Sequence, residues 1–219
     1  MPSQTTENYL KALFFLQQEE GDLTITKLSN KLKVTLPTAN SMIKKLQTNG
    51  WVTYQKYKPI LFTESGQKMA AMIIRKHRLT EMYLTEKMGF GWEEVHEVAE
   101  QIEHIKSSKL FDRMDEILGH PTHDPHGSPI PDKEGNIHRN NYTRLSEKAP
   151  GSTVILRALK ESSDDFLRYL NKHQLALGTK IKIIEREEFD GSMTILYNTD
   201  IQKSFSKEVC GRLLVDNLD

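Results

Sequence analysis

The chain has 219 residues, enough for one large domain or for two to three small ones. Its 37% hydrophobic and 27% charged residues are ordinary for a globular protein, and no apolar run approaches the roughly 20 residues that a membrane-spanning helix needs. The first residues lack the basic and apolar regions of a secretory signal, and the single cysteine, Cys210, cannot form an internal disulfide. We therefore expect a protein of the cytosol.

The charges are distributed unevenly although the formal net charge is zero. Residues 1–76 carry 11 Lys and Arg against 5 Asp and Glu, whereas residues 77–147 carry 8 against 14. Seven of the eight histidines lie between His77 and His138. A basic segment suits a polyanion, and an acidic segment suits cations. The sequence therefore predicts that successive segments carry different functions.

The N-terminal segment has the pattern of a winged helix-turn-helix. Apolar periodicity predicts three helices, over residues 6–20, 26–33 and 37–48. Pro37 suits the first turn of the third helix, because its missing N–H has no partner there anyway. Two apolar runs separated by a basic tip then predict a β-hairpin, with strands at 51–54 and 59–62 around the tip 55–58. Three helices followed by a hairpin make a winged helix-turn-helix.

The rest of the chain divides into a helical part and a β part. Three more helices are predicted, over residues 64–88, 93–105 and 107–118. Residues 119–150 are rich in Pro, Gly and Asn, which predicts an ordered loop that grades into a linker. Four strands follow, at 154–159, 180–188, 193–197 and 212–215, with a short helix over 164–172. Asp190-Gly191 predicts a tight turn between the second and third of these strands. We expect a mainly α fold that ends in a small β-barrel.

The third helix and the hairpin tip carry the residues that suit DNA. In a helix-turn-helix the second helix of the motif enters the major groove with its N-terminal residues leading. The candidate residues are Thr38, Asn40, Ser41, Lys44, Lys45, Lys56, Tyr57 and Lys58. Asn40 could pair with adenine, the lysines suit phosphates, and Tyr57 could lie against the backbone. Any one lysine is ordinarily part of a solvated face, but the set and the local positive charge together predict DNA binding.

Two helices of the acidic segment present imidazoles beside carboxylates. At about 100° per residue, four side chains of the second helix fall within an arc of about 100°: His96, Glu100, Glu103 and His104. The preceding helix offers His77 and Glu81, one turn apart. A single His and Glu pair is ordinarily a solvated surface, but two such helices predict a site for divalent first-row metals. It is not a zinc-protease helix, because the second histidine of H-E-x-x-H is replaced by Glu100.

The loop after the helices contains further potential ligands, namely His120, His123, Asp124 and His126. Beside Pro125 and Gly127 these residues could form a turn with incidental imidazoles. They could equally supply ligands to a second metal site. The residues themselves leave both alternatives open.

The order of elements, the segment 75–81 (RKHRLTE) and the segment 95–104 (VHEVAEQIEH) resemble the diphtheria-toxin-repressor family of metal-dependent regulators. This family includes iron-dependent repressors and manganese transport regulators. The resemblance covers nearly the whole chain, since the barrel is similar to the SH3-like domain of the longer members. It implies three domains: a winged helix at 1–72, a helical metal-binding and dimerisation domain at 73–147, and an SH3-like, FeoA-type domain at 148–219.

The resemblance also implies a regulatory metal site. Its ligands would be Asn8, Glu100, Glu103 and His104. Family members usually have Met or Asp where this chain has Asn8. Glu100 stands where iron-type members have Cys, as it does in manganese-type members. This oxygen-rich set predicts Mn(II), with Fe(II) second, because hard cations favour oxygen donors.

Further ligands are implied outside the regulatory site. Three residues match the family's other cluster: His77, Glu81 and His96. The turn Asp124-Pro125-His126 resembles a Cys-Pro-His turn that supplies ligands in related manganese repressors. A carboxylate of the barrel is a further candidate, with Asp164 or Asp165 the nearest match. Lys11 stands where some short members have a second acidic ligand, which argues against their two-metal cluster.

The family resemblance implies a metal-dependent repressor, not an enzyme. Such a protein binds palindromic operator DNA as a homodimer when loaded with Mn(II) or Fe(II), and controls metal-uptake genes. Two alternatives remain at this stage. One is a winged-helix regulator that senses a small molecule. The other is a metal-dependent hydrolase that uses Glu97 or Glu103 as a base, although the chain has neither a nucleophile motif nor a phosphate-binding loop.

Overall fold

The computed structural model describes residues 2–19, 21–138 and 140–218. The chain divides into two compact units. The first consists of Met1–Thr80, Glu97–Thr122 and Ile130–His138, and the second of Glu81–His96, His123–Pro129 and Arg139–Asp219. Within the described residues no helix is both long and apolar enough to cross a membrane. The prediction of a mainly helical chain with a smaller β part is confirmed.

The first unit begins with the three helices of the winged helix-turn-helix, which are α1 Gln4–Gln18, α2 Ile25–Leu32 and α3 Leu36–Thr48. Each starts directly after a hydroxyl residue, Ser3, Thr24 or Thr35, whose side chain accepts a hydrogen bond from a backbone N–H of the first turn. Such a cap satisfies a donor that the helix leaves unpaired. The cap at Ser3 explains why α1 starts two residues before the predicted position.

The hairpin follows α3 and completes the winged helix. Strands β1 Val52–Thr53 and β2 Leu61–Phe62 are antiparallel, shorter than the predicted runs. Ile60 N–H donates to Leu23 O at 2.8 Å, which joins the hairpin to the segment before α2. The helices and the hairpin share one apolar core, whose fully buried members include Leu10, Leu13, Leu28, Ile43, Leu46 and Ile60.

Helix α4 Glu64–Met88 starts close against the hairpin and has the predicted bounds. A Cβ at Gly66 would lie 1.8 Å from Trp51 O, so only glycine permits this approach. Helix α5 Val95–Ile102 is shorter than the predicted 93–105, since the chain turns after Ile102. Helix α6 Ser108–Ile117 is capped by the Ser107 hydroxyl. Within the first unit, Arg75 of α4 pairs with buried Asp115 of α6 at 2.8 Å.

The second unit contains a six-stranded antiparallel sheet in the order β3-β8-β4-β5-β6-β7. The strands are β3 Thr143–Arg144, β4 Thr153–Leu159, β5 Lys180–Arg186, β6 Met193–Tyr197, β7 Ile201–Phe205 and β8 Leu213–Asn217. Helix α7 Asp164–Lys172, helix α8 Lys207–Arg212 and a 3₁₀ turn at Leu145–Glu147 accompany them. Cys210 is buried in the apolar core of this unit, and burial raises the pKa of its thiol to about 11.

Several details of the β part differ from the prediction. Strands β3 and β7 and helix α8 were not predicted, because β3 and α8 are short and β7 has a largely exposed, polar pattern. The turn at Asp190-Gly191 is longer than predicted, since β5 ends at Arg186 and β6 starts at Met193. Gly191 has a φ of 70° and its N–H donates to Glu187 O at 3.0 Å.

Residues 123–129 of the predicted ordered loop are anchored within the second unit. Asp124 N–H donates to Ser128 O at 2.9 Å, and His123 bridges Pro129 in the antiparallel sense. Leu159 N–H of β4 donates to His126 O at 2.9 Å. A Cβ on Gly127, whose φ is 83°, would lie 2.3 Å from Arg157 O, so glycine lets the loop lie directly along β4. The segment 123–129 is therefore held at a defined place on the sheet.

Candidate metal centres and nucleic-acid interface

The winged helix presents a polar and basic surface on α3. Thr38, Ser41, Lys44 and Lys45 are exposed and Asn40 is partly exposed. On the opposite side of the helix, the buried residues are Ala39, Ile43 and Leu46. Packing of the apolar side against the core thus turns every nominated residue of α3 towards solvent. Helix α3 therefore exposes its polar side, as a helix that enters the major groove of DNA must.

A groove separates α3 from the hairpin. It is lined by Asn40, Lys44, Gln47, Tyr54, Lys56 and Tyr57. Tyr57 is 90% exposed at the hairpin tip, with a φ of 66°, and Lys56 Nζ lies 4.9 Å from the centre of its ring. Lys45 lines a separate depression with Thr38 and Ser41. Lys44 and Lys45 therefore lie on two sides of α3. This placement suits contacts to the phosphates on both sides of a DNA groove.

A cluster of charged side chains lies in the first unit around Glu103, which is fully buried. We call it the Glu103 cluster, and its members are Glu7, Asn8, Lys11, His77, Glu100, Glu103 and His104. His77 Nδ1 lies 2.6 Å from Glu103 Oε2, and His104 Nε2 lies 3.6 Å from Glu103 Oε1. Single oxygen or nitrogen atoms of His77, Glu100 and Glu103 all lie within 4.8 Å of one another, as the ligands of one metal ion do.

Helix α1 contributes two charged residues to this cluster. Lys11 Nζ donates to both carboxylate oxygens of Glu103, at 2.8 and 2.9 Å, and to Glu100 Oε1. Glu7 Oε2 lies 2.6 Å from His104 Nδ1. A carboxylate at one ring nitrogen holds the proton there and leaves the other nitrogen as an electron-pair donor. Glu7 therefore orients His104 so that Nε2 points towards Glu103.

Two buried atoms of the cluster lack a hydrogen bond. Within the described residues, the buried side-chain atoms without a hydrogen-bond partner are Asn8 Oδ1, Tyr9 Oη and His104 Nε2. Buried polar atoms are almost always paired, so each exception calls for an explanation, such as an ion or a water. Asn8 and His104 are both predicted metal ligands, and both atoms are electron-pair donors. The residues present therefore fit a bound metal ion.

Glu103 is ionised at neutral pH. Burial would raise the pKa of its carboxyl group, but the hydrogen bond with His77 and the charge of Lys11 outweigh burial and lower the pKa below its ordinary value. A buried carboxylate needs such partners because transfer of an unpaired charge out of water is costly. The cluster thus keeps a negatively charged oxygen donor ready inside the protein.

A second cluster lies in the second unit around Glu81, which is also buried. We call it the Glu81 cluster, and its members are Glu81, His96, Asp124 and His126. His96 Nδ1 lies 3.3 Å from Glu81 Oε1, and His126 Nδ1 lies 3.9 Å from Glu81 Oε2. Glu81, Asp124 and His126 are buried and offer ligand atoms within 4.8 Å of one another. Three buried donors from α4 and from the anchored loop therefore converge.

The backbone fixes the two loop residues of the Glu81 cluster. Asp124 Oδ1 accepts hydrogen bonds from His126 N–H and Ser128 N–H, both at 2.9 Å. His126 Nε2 lies 2.8 Å from Trp92 O, so the ring donates there and Nδ1 faces Glu81. The indole of Trp92 stacks near the same imidazole, with ring centroids 6.1 Å apart. These contacts orient the ligands in the way that outer residues of a metal site do.

Other predicted ligands are not brought into either cluster. Within the part of the chain that the structure describes, Asp165 belongs to no group of three potential ligands. Its side chain is fully exposed and lies 3.4 Å from Arg168. His120 Nδ1 contacts Asp115 at 2.9 Å, and His123 Nε2 lies 2.8 Å from Asn140. The role of Asp165 thus stays a prediction, without geometric support.

Neither Glu7 nor Trp92 is among the residues predicted from the sequence, and Lys11 is noted there only as a departure from a family pattern. Glu7, Asn8 and Lys11 are spaced one and three residues apart, which forms a polar stripe on the largely apolar helix α1. Charged residues are rarely buried without partners, so this stripe was a usable signal. Trp92 had no such signal, because its role depends on the fold.

The chain matches three family models in succession. Residues 1–60 match the N-terminal DNA binding domain of the iron dependent repressor. Residues 63–132 match the metal binding and dimerisation domain of the iron dependent repressor, and residues 143–217 match the FeoA domain. The second match, residues 63–132, contains both clusters except for the α1 residues of the Glu103 cluster.

Curated proteins and solved structures agree with these matches. The iron-dependent repressor IdeR of Mycobacterium tuberculosis is 31% identical over 166 residues, which cover 72% of each chain. The diphtheria toxin repressor of Corynebacterium diphtheriae is 25% identical over 209 residues, or 89% of each chain. A structure of a manganese-dependent transcriptional repressor in complex with manganese superposes with a TM-score of 0.87 at 28% identity, covering 97% of this chain and all of the other.

The winged helix, the dimerisation domain and the clustered donors define a metal-dependent DNA-binding repressor. The chain belongs to the family of the diphtheria toxin repressor and IdeR, and ends in the FeoA-type, SH3-like domain. It is a metal-dependent transcriptional repressor, not an enzyme, and it acts in the cytoplasm on operator DNA as a homodimer. The family binds divalent metals. The alternatives of a small-molecule sensor and of a hydrolase are therefore not retained.

Proposed function

We propose that the protein represses metal-uptake genes when Mn(II), or Fe(II) as second choice, binds at the Glu103 cluster. The ligands would be Asn8, Glu100, Glu103 and His104. One observation carries this proposal: the donors Asn8 Oδ1 and His104 Nε2 are buried and lack hydrogen bonds within the described chain, beside a buried and ionised Glu103. Oxygen donors outnumber nitrogen donors in this set and no sulfur is present, which suits a hard cation.

The cluster connects the metal to the DNA-binding surface. Asn8 lies on α1, which packs against α2 and α3, and the other ligands lie on or just after α5. A bound divalent cation supplies the positive charge that attracts donors from both helices at once. Asn8 would thereby hold α1, and α3 with it, in one position relative to α5. In a homodimer this would set the spacing of the two α3 helices to match the half-sites of a palindrome.

We propose that the Glu81 cluster is a second metal site, with Glu81, His96, Asp124 and His126 as ligands. His77 lies one turn before Glu81 on α4. In the first unit it contacts Glu103, so we count it with the Glu103 cluster, and its role as a metal ligand stays a prediction. Asp124 stands at the position of the cysteine in the Cys-Pro-His turn, and its carboxylate supports both the turn and the site. We also propose the three-domain division at residues 1–72, 73–147 and 148–219.

The test is operator binding titrated with each metal under anaerobic conditions. Mn(II) should activate most fully, followed by Fe(II). Raw affinity will not show this preference, because zinc binds nearly any such site more tightly. The difference should appear in activation, since zinc prefers four ligands and would leave Asn8 unbound. Zinc that activates the unmodified protein as fully as manganese would contradict the proposal.

Two substitutions sharpen the test. Glu100→Cys should weaken the response to Mn(II) and strengthen the response to softer metals, because it replaces an oxygen donor with a thiolate. Asn8→Asp should strengthen the response to Mn(II) by adding a negative charge to the ligand from α1. If Glu100→Cys leaves the ranking of metals unchanged, Glu100 does not select the metal.

A further inference from the structure

Lys11 places a cation among the ligands of the Glu103 cluster. Its ammonium donates to Glu100 Oε1 and to both carboxylate oxygens of Glu103, at 2.8 and 2.9 Å. The Lys11 side chain is only 9% exposed, so its two contacts to Glu103 are buried, and its contact to Glu100 is partly buried. The three hydrogen bonds use all three donors of an ammonium group. Lys11 thus joins α1 to the α5 region through the same two residues that are proposed to bind the metal.

The charges show what Lys11 does to these carboxylates. Glu100 and Glu103 together carry two negative charges, and Lys11 neutralises one of them. A metal ion that approaches Glu103 therefore meets an oxygen pair that is already hydrogen-bonded to a cation. Two cations close together inside a protein repel one another strongly, because the interior screens charge far less than water. The ammonium and a divalent metal cannot both hold the Glu103 carboxylate in this way.

We propose that Lys11 is an internal competitor for the metal and sets the metal concentration at which the repressor is activated. This inference rests on the proposed metal site at the Glu103 cluster. In the metal-free protein the ammonium holds Glu100 and Glu103. Metal binding requires Lys11 to leave Glu103, and the free energy of that displacement is subtracted from the metal affinity. Lys11 therefore makes the protein respond at a higher metal concentration than its ligand set alone would.

A purely structural role for Lys11 makes a different prediction. A salt bridge that only stabilises the fold would be equally important with and without metal. Its loss would lower the melting temperature in both states and would leave the metal affinity unchanged. A competitor is instead important only in the metal-free state. Its loss would lower the melting temperature of the metal-free protein and tighten metal binding.

The experiment compares Lys11→Met with Lys11→Arg, Lys76→Met and the unmodified protein. Methionine keeps the unbranched side chain up to the position of Cε and removes the ammonium group. Lys76 is a matched control, because its ammonium lies beside the cluster at 3.3 Å from Glu103 O and contacts no carboxylate among the residues that the structure describes. Mn(II) binding is measured from the free-ion electron paramagnetic resonance signal. Quenching of Trp92 fluorescence, measured in a common Trp51→Phe background because the chain has two tryptophans, identifies binding at the Glu81 cluster in the same titration. Thermal melts are recorded with and without Mn(II).

Lys11→Met should tighten Mn(II) binding about tenfold or more, because removal of a buried competing charge changes affinity on this scale. The change should occur only at the site whose occupation does not quench Trp92 fluorescence. It should also enlarge the rise in melting temperature that Mn(II) causes. Lys11→Arg should restore an affinity near that of the unmodified protein, and Lys76→Met should change it little. Unchanged or weaker Mn(II) binding by Lys11→Met would overturn the proposal. If metal-free Lys11→Met does not fold, the Mn(II) concentration that restores its folding is compared with the Mn(II) affinity of the unmodified protein instead.

Failure of the underlying site is distinguished with Glu103→Gln. If that variant binds as many Mn(II) ions as the unmodified protein, the proposed site itself is wrong. If it loses one ion per chain while Lys11→Met keeps the unmodified affinity, the site stands and only the role of Lys11 is wrong.

Discussion

The Glu103 and Glu81 clusters have similar donors but are held differently. Each is centred on a glutamate that is at most 2% exposed, and each brings imidazoles to that glutamate. In the Glu103 cluster the carboxylate is held by side chains from α1 and α4, Lys11 and His77. In the Glu81 cluster the loop ligands are held by the backbone, since Asp124 accepts two N–H groups and His126 meets Trp92 O.

This difference predicts different roles. Side-chain contacts can exchange one partner for another without refolding, so the Glu103 cluster can exist in two states. A backbone-held loop keeps its shape whether or not a metal is bound, so the Glu81 cluster is preorganised. The Glu103 cluster also includes residues of α1, which belongs to the winged helix. We therefore expect the Glu103 cluster to switch DNA binding and the Glu81 cluster to adjust it.

The largest effect is expected for Glu103→Gln. This change removes the charge of the central ligand, so the gain in operator affinity on adding Mn(II), about 5- to 150-fold for typical allosteric coupling, should disappear. Weak metal-independent DNA binding should remain. Electrophoretic mobility shifts with and without chelator measure both quantities. Glu97→Gln on the exposed side of α5 is the matched control and should behave as the unmodified protein does. A normal metal response in Glu103→Gln would contradict the assignment of the switch in DNA binding to the Glu103 cluster.

A smaller effect on DNA binding is expected for the Glu81 cluster. His126→Ala removes a predicted ligand and should weaken Mn(II) binding there by at least the about 10- to 100-fold that loss of a ligand-orienting residue costs, with loss of the Trp92 response. Operator affinity at saturating metal should fall by less than in Glu103→Gln. Asp124→Asn keeps an oxygen for the two backbone N–H groups and removes the charge, whereas Asp124→Ala removes both. If the two Asp124 variants lose equal stability, the backbone contacts of Asp124 do not hold the loop.

Substitutions on the DNA-binding surface should leave both clusters intact. Lys44→Ala and Lys56→Ala each remove one expected phosphate contact. Each should lower affinity across DNA sequences and reduce the slope of log affinity against log salt by ~1. Metal stoichiometry should not change. Fluorescence anisotropy at several salt concentrations measures the slope. Loss of metal binding in Lys44→Ala would show that the surface and the clusters are not separate.

The smallest effect concerns acid stability in the metal-free state. Because the folded-state pKa of Glu103 lies below its ordinary value of 4.5, the unfolded chain binds its proton first as the pH falls. The stability that Glu103 contributes is therefore fully present above about pH 4.5 and is lost as the pH falls through the folded-state pKa. Urea denaturation of metal-free protein between neutral and acid pH measures this loss. Glu103→Gln should show a shallower decline, and an equal decline would assign it to other carboxyl groups.

Much of the fold followed from local patterns. The bounds of α4 and the order of the winged-helix elements were predicted because apolar period, Pro37 and the basic hairpin tip are signals within short stretches of chain. The pairs His77 with Glu81 and His96 with Glu100 were nominated for the same reason, since helical spacing places them on one face. Strand β7 and helix α8 lacked such signals, because an exposed polar edge strand does not alternate clearly between apolar and polar residues.

The sequence by itself determined which donor residues are available and that a basic winged helix precedes an acidic, histidine-rich segment. Only the tertiary structure decided how the donors are shared. Lys11 and Glu103 are 92 residues apart, and their ion pair depends on how α1 packs beside the end of α5. The hydrogen bond between His126 and Trp92 O depends likewise on the docking of a loop along β4. Periodicity places residues on the face of one element, but burial and pairing of charges arise only where separate elements meet.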